Sequence, residues 1–246
     1  MSLKKKMYDH QFFAEQQDGS IKSAQQIVPH VLDLLDVKSV VDIGCGTGGW
    51  LSVFKGYGIA DIFGVDGDYV DEELLKIPVE QYRGMDLTKT FELDRRFDLV
   101  VSLEVAEHLP ETSADMFIES LTKLGSVILF SAAVPYQGGK HHINEQWQGY
   151  WLDKFNQCGF AAVDCIRSKI WENEDVQWWY AQNIMIYVKL EDLHTYPRLE
   201  AEYMKNKGNI VSMIHPRLYM LLAKDYFGND GYKDGMIIGR HFTSRL

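Results

Sequence analysis

Acidic and imidazole side chains at two places in the sequence have spacings that suit metal binding or proton transfer. Glu104, Glu107 and His108 form an E-x-x-E-H pattern, and His141 and His142 are adjacent further along the chain. If this pentapeptide forms a helical turn, its glutamates and histidine share one face, because residues three and four apart on a helix are neighbours. Carboxylates and imidazoles suit Mg²⁺, Mn²⁺ or Zn²⁺ and leave coordination positions for a substrate oxygen.

Two interpretations of these residues stay open. One is a metal site formed by Glu104, Glu107, His108 and His142. In the other, His141 or His142 is a general base or lines a pocket, and Glu107 and His108 cap a helix or line the same pocket. Metal dependence of the activity separates the two interpretations.

A glycine-rich turn after an acid is the second candidate site. Asp42 lies in the apolar run 40–43, and Gly44, Gly46 and Gly49 follow it. Glycines allow positive φ angles and a close approach of a ligand to the backbone, and the helix that follows offers free N–H groups at its start. The glycine spacing also fits a dinucleotide-binding pattern. A carboxylate two residues before the first glycine repels a pyrophosphate but suits an ammonium group, so we expect a ligand with a cationic end.

An acid after the second predicted strand could bind a nucleoside. Residues 59–65 form an apolar run that ends at Asp66, about twenty residues after Gly44. An acid at this position can accept hydrogen bonds from both hydroxyls of an adenosine ribose. The alternative is a solvated aspartate in a turn with Gly67 and Asp68.

Apolar runs separated by amphipathic stretches predict the elements that position these residues. Strands that alternate with helices indicate an α/β fold in which ligands bind at the carboxyl ends of the strands. The predicted strands are 39–43, 59–65, 79–82, 97–103, 127–130, 161–166 and 184–189, and the predicted helices are 23–35, 47–57, 69–76, around 116–121 and 145–157.

Composition argues against several classes of partner. The net charge of −10 disfavours broad non-specific binding to nucleic acid or to an anionic membrane. The sequence contains no run of about 18 apolar residues, so it predicts no membrane span. The three cysteines are odd in number and lack metal-binding spacing, so we expect a reduced, cytoplasmic compartment.

The stretch from Val40 to Trp50 resembles motif I of the class I S-adenosylmethionine-dependent methyltransferases. The resemblance implies a Rossmann-like α/β fold with a seven-stranded, mostly parallel sheet of order 3-2-1-4-5-7-6, in which the last strand is antiparallel. It also implies that Asp42 holds the methionine end of S-adenosylmethionine, and that Asp86 and Leu87 bind the adenine. The full set of cofactor-binding residues that it implies is Asp42, Gly44, Cys45, Gly46, Gly48, Asp66, Gly67, Asp86, Leu87, Leu103 and Glu104.

Two further resemblances concern the acceptor. One arrangement resembles the metal sites of two groups, the metal-dependent ubiquinone-pathway O-methyltransferases and the 2′-O-methyltransferases of small-RNA 3′ ends. It consists of Glu104, Glu107, His108 and His142, with Glu145 following His142. The stretch that begins at His141, followed by 178–183, resembles bacterial methyltransferases of saccharide and natural-product biosynthesis. We therefore expect O-methylation of a small molecule or saccharide. A metal-dependent RNA 2′-O-methyltransferase is the alternative, which the acidic balance disfavours, and a dinucleotide-binding oxidoreductase is a remote third.

The resemblance covers roughly residues 20–190, and this predicts the domain organisation. Residues 1–190 are expected to form the methyltransferase domain, with an N-terminal lid segment. Tyr8 and Phe12 in this segment either lie over the sulfonium or hold the terminal segment against the domain. Residues 191–246 are expected to form a helical C-terminal appendage. This appendage either caps the pocket or makes a subunit contact, as in a homodimer.

Overall fold

Seven strands form one sheet in the computed structural model, which describes residues 10–206 and 212–226 and the side chains of 19–205 and 212–226. The strands are β1 Ser39–Ile43, β2 Asp61–Asp66, β3 Tyr82–Gly84, β4 Leu99–Leu103, β5 Val127–Ser131, β6 Phe160–Val163 and β7 Met185–Lys189. They lie in the order β3-β2-β1-β4-β5-β7-β6. Only β7 runs antiparallel to its neighbours. The predicted Rossmann-like architecture and strand order are confirmed.

Helices cover both faces of the sheet. They are α1 His10–Leu32, α2 Gly49–Gly56, α3 Ala114–Leu124, α4 Gln148–Gln157, α5 Arg167–Ile170, α6 Trp178–Asn183 and α7 Pro197–Asn206. Successive side chains of a strand point to opposite faces, so Val40 packs in the core with α1 and α2, whereas Val41 packs in the core with α3 and α4. Because both faces are covered, β4 and β5 are buried along their whole length, which explains their continuous apolar sequences.

The sheet order reverses between β1 and β4, and this reversal positions the site. β1 pairs with β2 on one side and with β4 on the other, and Val41 is opposite Val100. The chain leaves β1 toward β2 and later returns to β4, so the loops after β1 and β4 separate and open a crevice at the carboxyl edge. The glycine turn and the E-x-x-E-H segment follow these two strands.

The segment between β2 and β3 differs from the prediction. In place of a helix over 69–76, the structure has a 3₁₀ turn at Glu72–Leu74, capped by the Asp71 carboxylate, which accepts a hydrogen bond from the Glu73 amide. Pro78 disfavours helical geometry at the residue before it, and the Lys76 amide donates to the carbonyl of Thr47 instead of to a helix.

The chain divides into two compact units, Met1–Met213 and Ile214–Leu246. Leu193 and Leu199 lie in the core of the first unit, so the segment after β7 and helix α7 pack with the sheet. The second unit, described over 214–226, contains helix α8 at residues 216–226. The functional division at residue 190 stays a prediction.

The N-terminal lid segment is only partly described. Helix α1 includes residue 12, whereas Tyr8 and the side chain of Phe12 lie outside the described residues. In the part of the chain that the structure describes, no helix is long and apolar enough to cross a membrane.

Candidate functional site

The glycine turn after β1 adopts a conformation that requires glycine. Gly44, Gly46 and Gly48 have φ angles of 86°, 54° and 80°, in the left-handed region that other residues rarely adopt. A Cβ atom on Gly44 would lie 2.3 Å from a methyl carbon of Val105, which belongs to the loop after β4. The turn therefore brings the backbone of the β1 loop directly against the β4 loop.

Asp66 links the ends of β1 and β2. One carboxylate oxygen accepts a hydrogen bond from the Gly46 amide (2.6 Å), and the other accepts from the Gly67 amide and the Tyr69 hydroxyl (both 2.6 Å). The side chains of Asp42 and Asp66 are both buried. Burial raises the pKa of Asp42 well above its ordinary value, with a further contribution from the charge of Asp66, and burial also raises the pKa of Asp66. Among the described residues no cationic side chain compensates these two buried carboxylates, so they favour a ligand that carries positive charge.

The predicted site residues line one cavity of about 890 Å³. With the exception of Gly48, every predicted catalytic, cofactor and metal residue lines it, and Gly49 takes the place of Gly48. Gly48 is instead the N-cap of α2. Among the described lining residues, Lys140 is the only lysine or arginine, whereas six aspartates and glutamates line the cavity: Asp42, Asp66, Asp68, Asp86, Glu104 and Glu107. The cavity is therefore strongly acidic.

Asp86 lies at the edge of the cavity and is held by its own loop. Its carboxylate accepts hydrogen bonds from the hydroxyl (2.6 Å) and the amide (3.1 Å) of Thr88 and forms an ion pair with Lys89. These contacts, the Thr88 hydroxyl first, lower the pKa of Asp86 to about 2. Asp86 is therefore ionised at neutral pH and available only as a hydrogen-bond acceptor.

Three of the four predicted metal ligands come together. Candidate ligand atoms of Glu107, His108 and His142 all lie within 4.8 Å of one another. Glu107 is fully buried in the 3₁₀ turn Ala106–His108, and its carboxylate oxygens have no well-aligned hydrogen-bond donor among the described residues, although the backbone amides of Glu107 and Ala133 partly offset the rise in its pKa. Burial raises the pKa of Glu107 well above its ordinary value, and the charge of Glu104 adds to this shift. Burial also lowers the pKa of His108 to about 4, so this imidazole is neutral at neutral pH and can offer a lone pair.

Glu104 lies outside that cluster, because the pentapeptide does not form one helical turn. Glu104 has a φ angle of 56°, so the chain turns sharply after β4 before the 3₁₀ turn begins. Its carboxylate accepts hydrogen bonds from the side-chain amides of Gln137 (2.8 Å) and Asn183 (3.2 Å). The amide of Gln182, which is fully buried, donates in turn to the oxygens of Gln137 and Asn183. These neutral amides, rather than the histidines, hold Glu104.

The histidine loop is held by contacts that the sequence pattern did not reveal. His142 Nδ1 lies 2.9 Å from the Glu145 carboxylate, and His108 Nδ1 lies 3.4 Å from the carbonyl oxygen of His141. His141 is exposed at the cavity rim with a φ angle of 66°. Trp178 and Trp179 line the same cavity, and they belong to the stretch 178–183 that resembles saccharide and natural-product methyltransferases.

Comparison with known proteins places the fold and the family. A family model described as a methyltransferase domain matches residues 13–182. DesVI from Streptomyces venezuelae is 15% identical, with a TM-score of 0.53 over 76% of this chain and 99% of that one. The magnesium protoporphyrin IX methyltransferase ChlM from Synechocystis PCC 6803, solved with bound SAH, is 18% identical, with a TM-score of 0.52 over 75% of this chain and 91% of that one. No curated protein matched the chain.

Substitution of Gly44 tests the tight junction between the β1 and β4 loops. We expect Gly44→Ala to lower the free energy of unfolding by about 2–5 kcal/mol, because left-handed strain adds to the clash with Val105. Gly58 is the matched control, since it has a φ angle of 93° with open space around its Cβ position. Gly58→Ala should cost only about 1–2 kcal/mol. Equal losses in urea unfolding experiments would contradict the close packing of the two loops.

Substitution of Glu107 tests whether its carboxylate is unfavourable in the ligand-free protein. Because the folded state raises the pKa of this acid, Glu107 disfavours folding increasingly as pH rises above the ordinary glutamate value. In the presence of a chelator, we expect Glu107→Gln to raise Tm at pH 8 by about 2–4 °C, which corresponds to about 1 kcal/mol. The gain should shrink at pH 5.

The control for this measurement is Glu111→Gln, at an exposed position. It should leave Tm unchanged at both pH values. A Tm of Glu107→Gln below that of the wild type at pH 8 would mean that the glutamate carboxylate has a stabilising partner in the ligand-free protein.

Proposed function

Because this chain belongs to the methyltransferase domain family and has the class I fold, we propose that it transfers a methyl group from S-adenosylmethionine to an oxygen atom of a small molecule or saccharide. The single observation that carries the oxygen acceptor is the cluster of Glu107, His108 and His142 in the same cavity as the glycine turn. An oxygen nucleophile needs a base or a metal, and this cluster offers either.

The acidic end of the cavity supports S-adenosylmethionine as the methyl donor. The donor carries an ammonium group and a sulfonium, and either charge would compensate the buried carboxylates of Asp42 and Asp66. Asp66 ends β2, where its carboxylate can accept hydrogen bonds from ribose hydroxyls in exchange for the Tyr69 hydroxyl. Asp86 and Leu87 also line the cavity and suit the adenine.

The residues of the Glu107 cluster fit a divalent metal. A fully buried carboxylate whose oxygens have no well-aligned donor among the described residues is costly unless a cation compensates it. Glu107, His108 and His142 would hold the ion, and the mixed carboxylate and imidazole donors suit Mn²⁺ or Zn²⁺, with Mg²⁺ as a further candidate. When bound there, a divalent metal supplies Lewis-acid catalysis for an oxygen nucleophile. In the metal-free alternative, His142 takes the proton of the acceptor hydroxyl, oriented by Glu145.

The chemical step is an in-line displacement that depends on positioning. The acceptor hydroxyl gives its proton to water, or to His142 in the metal-free alternative. Its oxygen forms a bond to the methyl carbon, and the carbon–sulfur bond breaks with its electron pair remaining on the sulfur of S-adenosylhomocysteine. Trp178 and Trp179 offer flat apolar walls for the acceptor, and Glu104 with Gln137 offers polar contacts beside them.

The acidic cavity favours a neutral acceptor over RNA. The described lining residues include six carboxylates and one lysine, Lys140, so a phosphodiester backbone would meet like charge there.

We further propose a cytoplasmic location, supported by the free thiols of Cys45, Cys158 and Cys165. We also propose a homodimer contact by the C-terminal segment.

Methyl transfer into fractionated cell extract tests this proposal. Methyl-labelled S-adenosylmethionine is incubated with the protein and a dialysed extract, which is then separated into RNA, protein, polysaccharide and small molecules. We expect label in the small-molecule or polysaccharide fraction. Incorporation should fall at least 100-fold with a chelator, recover with Mn²⁺, and stay low in Glu107→Gln.

Other outcomes identify which part of the proposal is wrong. Label confined to RNA would overturn the acceptor class and favour an RNA 2′-O-methyltransferase. Full activity with a chelator would exclude the metal and assign proton removal to His142. Absence of transfer into every fraction, with S-adenosylmethionine bound, would contradict methyl transfer to any acceptor in the extract.

A further inference from the structure

We propose that Glu145 is a positioning residue that holds the His142 imidazole in one tautomer and one orientation, so that Nε2 carries the lone pair. The inference rests on the proposed function, because it concerns how the histidine of that site is prepared to bind a metal or a proton. This role is supported by the contacts that the Glu145 carboxylate makes within the loop between β5 and α4.

The Glu145 carboxylate is the centre of this loop. One of its oxygens lies 2.9 Å from His142 Nδ1 and accepts a hydrogen bond from the Gly138 amide at 2.9 Å, and the other accepts from the Tyr136 amide at 2.7 Å. An ionised carboxylate only accepts hydrogen bonds, so Nδ1 of a neutral His142 must carry the proton. The side chains of His142 and Glu145 are only 12% and 19% exposed, so water competes weakly for this contact.

The loop needs such an anchor because its backbone is strained. Tyr136 and His141 both have φ angles of 66°, and Gly138 and Gly139 also have positive φ angles. Left-handed backbone conformations of residues other than glycine are strained and persist where surrounding contacts hold them. Two of the hydrogen bonds to Glu145 come from this strained segment, so the same carboxylate fixes the loop and the ring.

Gly139 completes the fit around the imidazole. A Cβ atom at this position would lie 2.2 Å from Nε2 of His142. The ring therefore packs directly against the Gly139 backbone, and any other residue would push it away. The glycine limits where the ring can lie, and Glu145 determines which nitrogen is protonated.

The backbone ties this arrangement to Glu107. The amides of Ile143 and Asn144 both donate to the carbonyl oxygen of Glu107, at 2.9 and 3.0 Å. The residues next to His142 are thus fixed relative to the buried carboxylate of the cluster. His108 has a comparable arrangement, with Nδ1 near the carbonyl of His141, and the two rings meet edge to face at 4.9 Å. Partners of this kind on Nδ1 commonly orient metal-binding histidines.

The substitution Glu145→Gln tests the proposal without relying on catalysis. In the orientation that keeps the Tyr136 hydrogen bond, the glutamine NH₂ group replaces the oxygen that faces His142 and the Gly138 amide, so it can donate to an unprotonated Nδ1. In long-range ¹H–¹⁵N spectra of histidine-labelled protein, we expect His142 to change from the Nδ1–H tautomer to the Nε2–H tautomer. We expect the Kd for Mn²⁺, measured by calorimetry, to rise about 10- to 100-fold.

Two controls separate positioning from loss of structure. Glu111→Gln should match the wild type in both measurements, and the Tm of Glu145→Gln shows whether the fold survives. Gly139→Ala keeps Glu145 but displaces the ring, and should weaken Mn²⁺ binding without changing the tautomer.

The two proposals fail in different ways. An unchanged His142 tautomer and an unchanged Kd for Mn²⁺ in both folded Glu145→Gln and folded Glu145→Leu, which has no acceptor for Nδ1, would overturn the role of Glu145. If the wild type binds no Mn²⁺, the metal part of the proposed function fails. The tautomer measurement then decides the role of Glu145 by itself.

Discussion

Uncompensated negative charge at the carboxyl edge of the sheet is the constraint on which the site depends. Asp42, Asp66, Glu104 and Glu107 line one cavity, and burial raises the pKa of each. Removing a carboxylate from water is costly unless hydrogen bonds or a cation compensate it. Amides and hydroxyls compensate Asp66 and Glu104 in part, whereas the oxygens of Glu107 have no well-aligned donor among the described residues. A cationic methyl donor and a metal ion would relieve this cost at the two ends of the cavity.

The topology explains why these acids meet although they are distant in sequence. Asp42 and Asp66 belong to β1 and β2, and the two glutamates follow β4, on the other side of β1. Parallel strands present their carboxyl ends at one edge, and the reversal of strand order opens a crevice there. Gly44, against Val105, lets the two loops approach closely enough to share one cavity. The fold thus supplies the location, and the side chains supply the chemistry.

Local sequence patterns predicted the framework, and long-range contacts determined the rest. β1, β4 and β5 were predicted nearly at their bounds, because apolar runs buried on both faces have a strong local signal. Asp66 was identified by its distance from the glycine turn. The separation of Glu104 from the histidines could not be predicted, because it depends on amides of Gln137 and Asn183 far along the chain. Gly139 was missed for a similar reason, since its role appears only where the His142 ring packs against it.

Anomalous diffraction from crystals grown with S-adenosylhomocysteine and MnCl₂ would test the central claim most directly. The account predicts a manganese peak among Glu107, His108 and His142, and the nucleoside along the glycine turn with its ribose at Asp66. Both ligands should lie in the same cavity, on either side of the acceptor position. A nucleoside bound at the glycine turn with no manganese peak in the cluster would contradict the claim that Glu107 is buried to hold a cation.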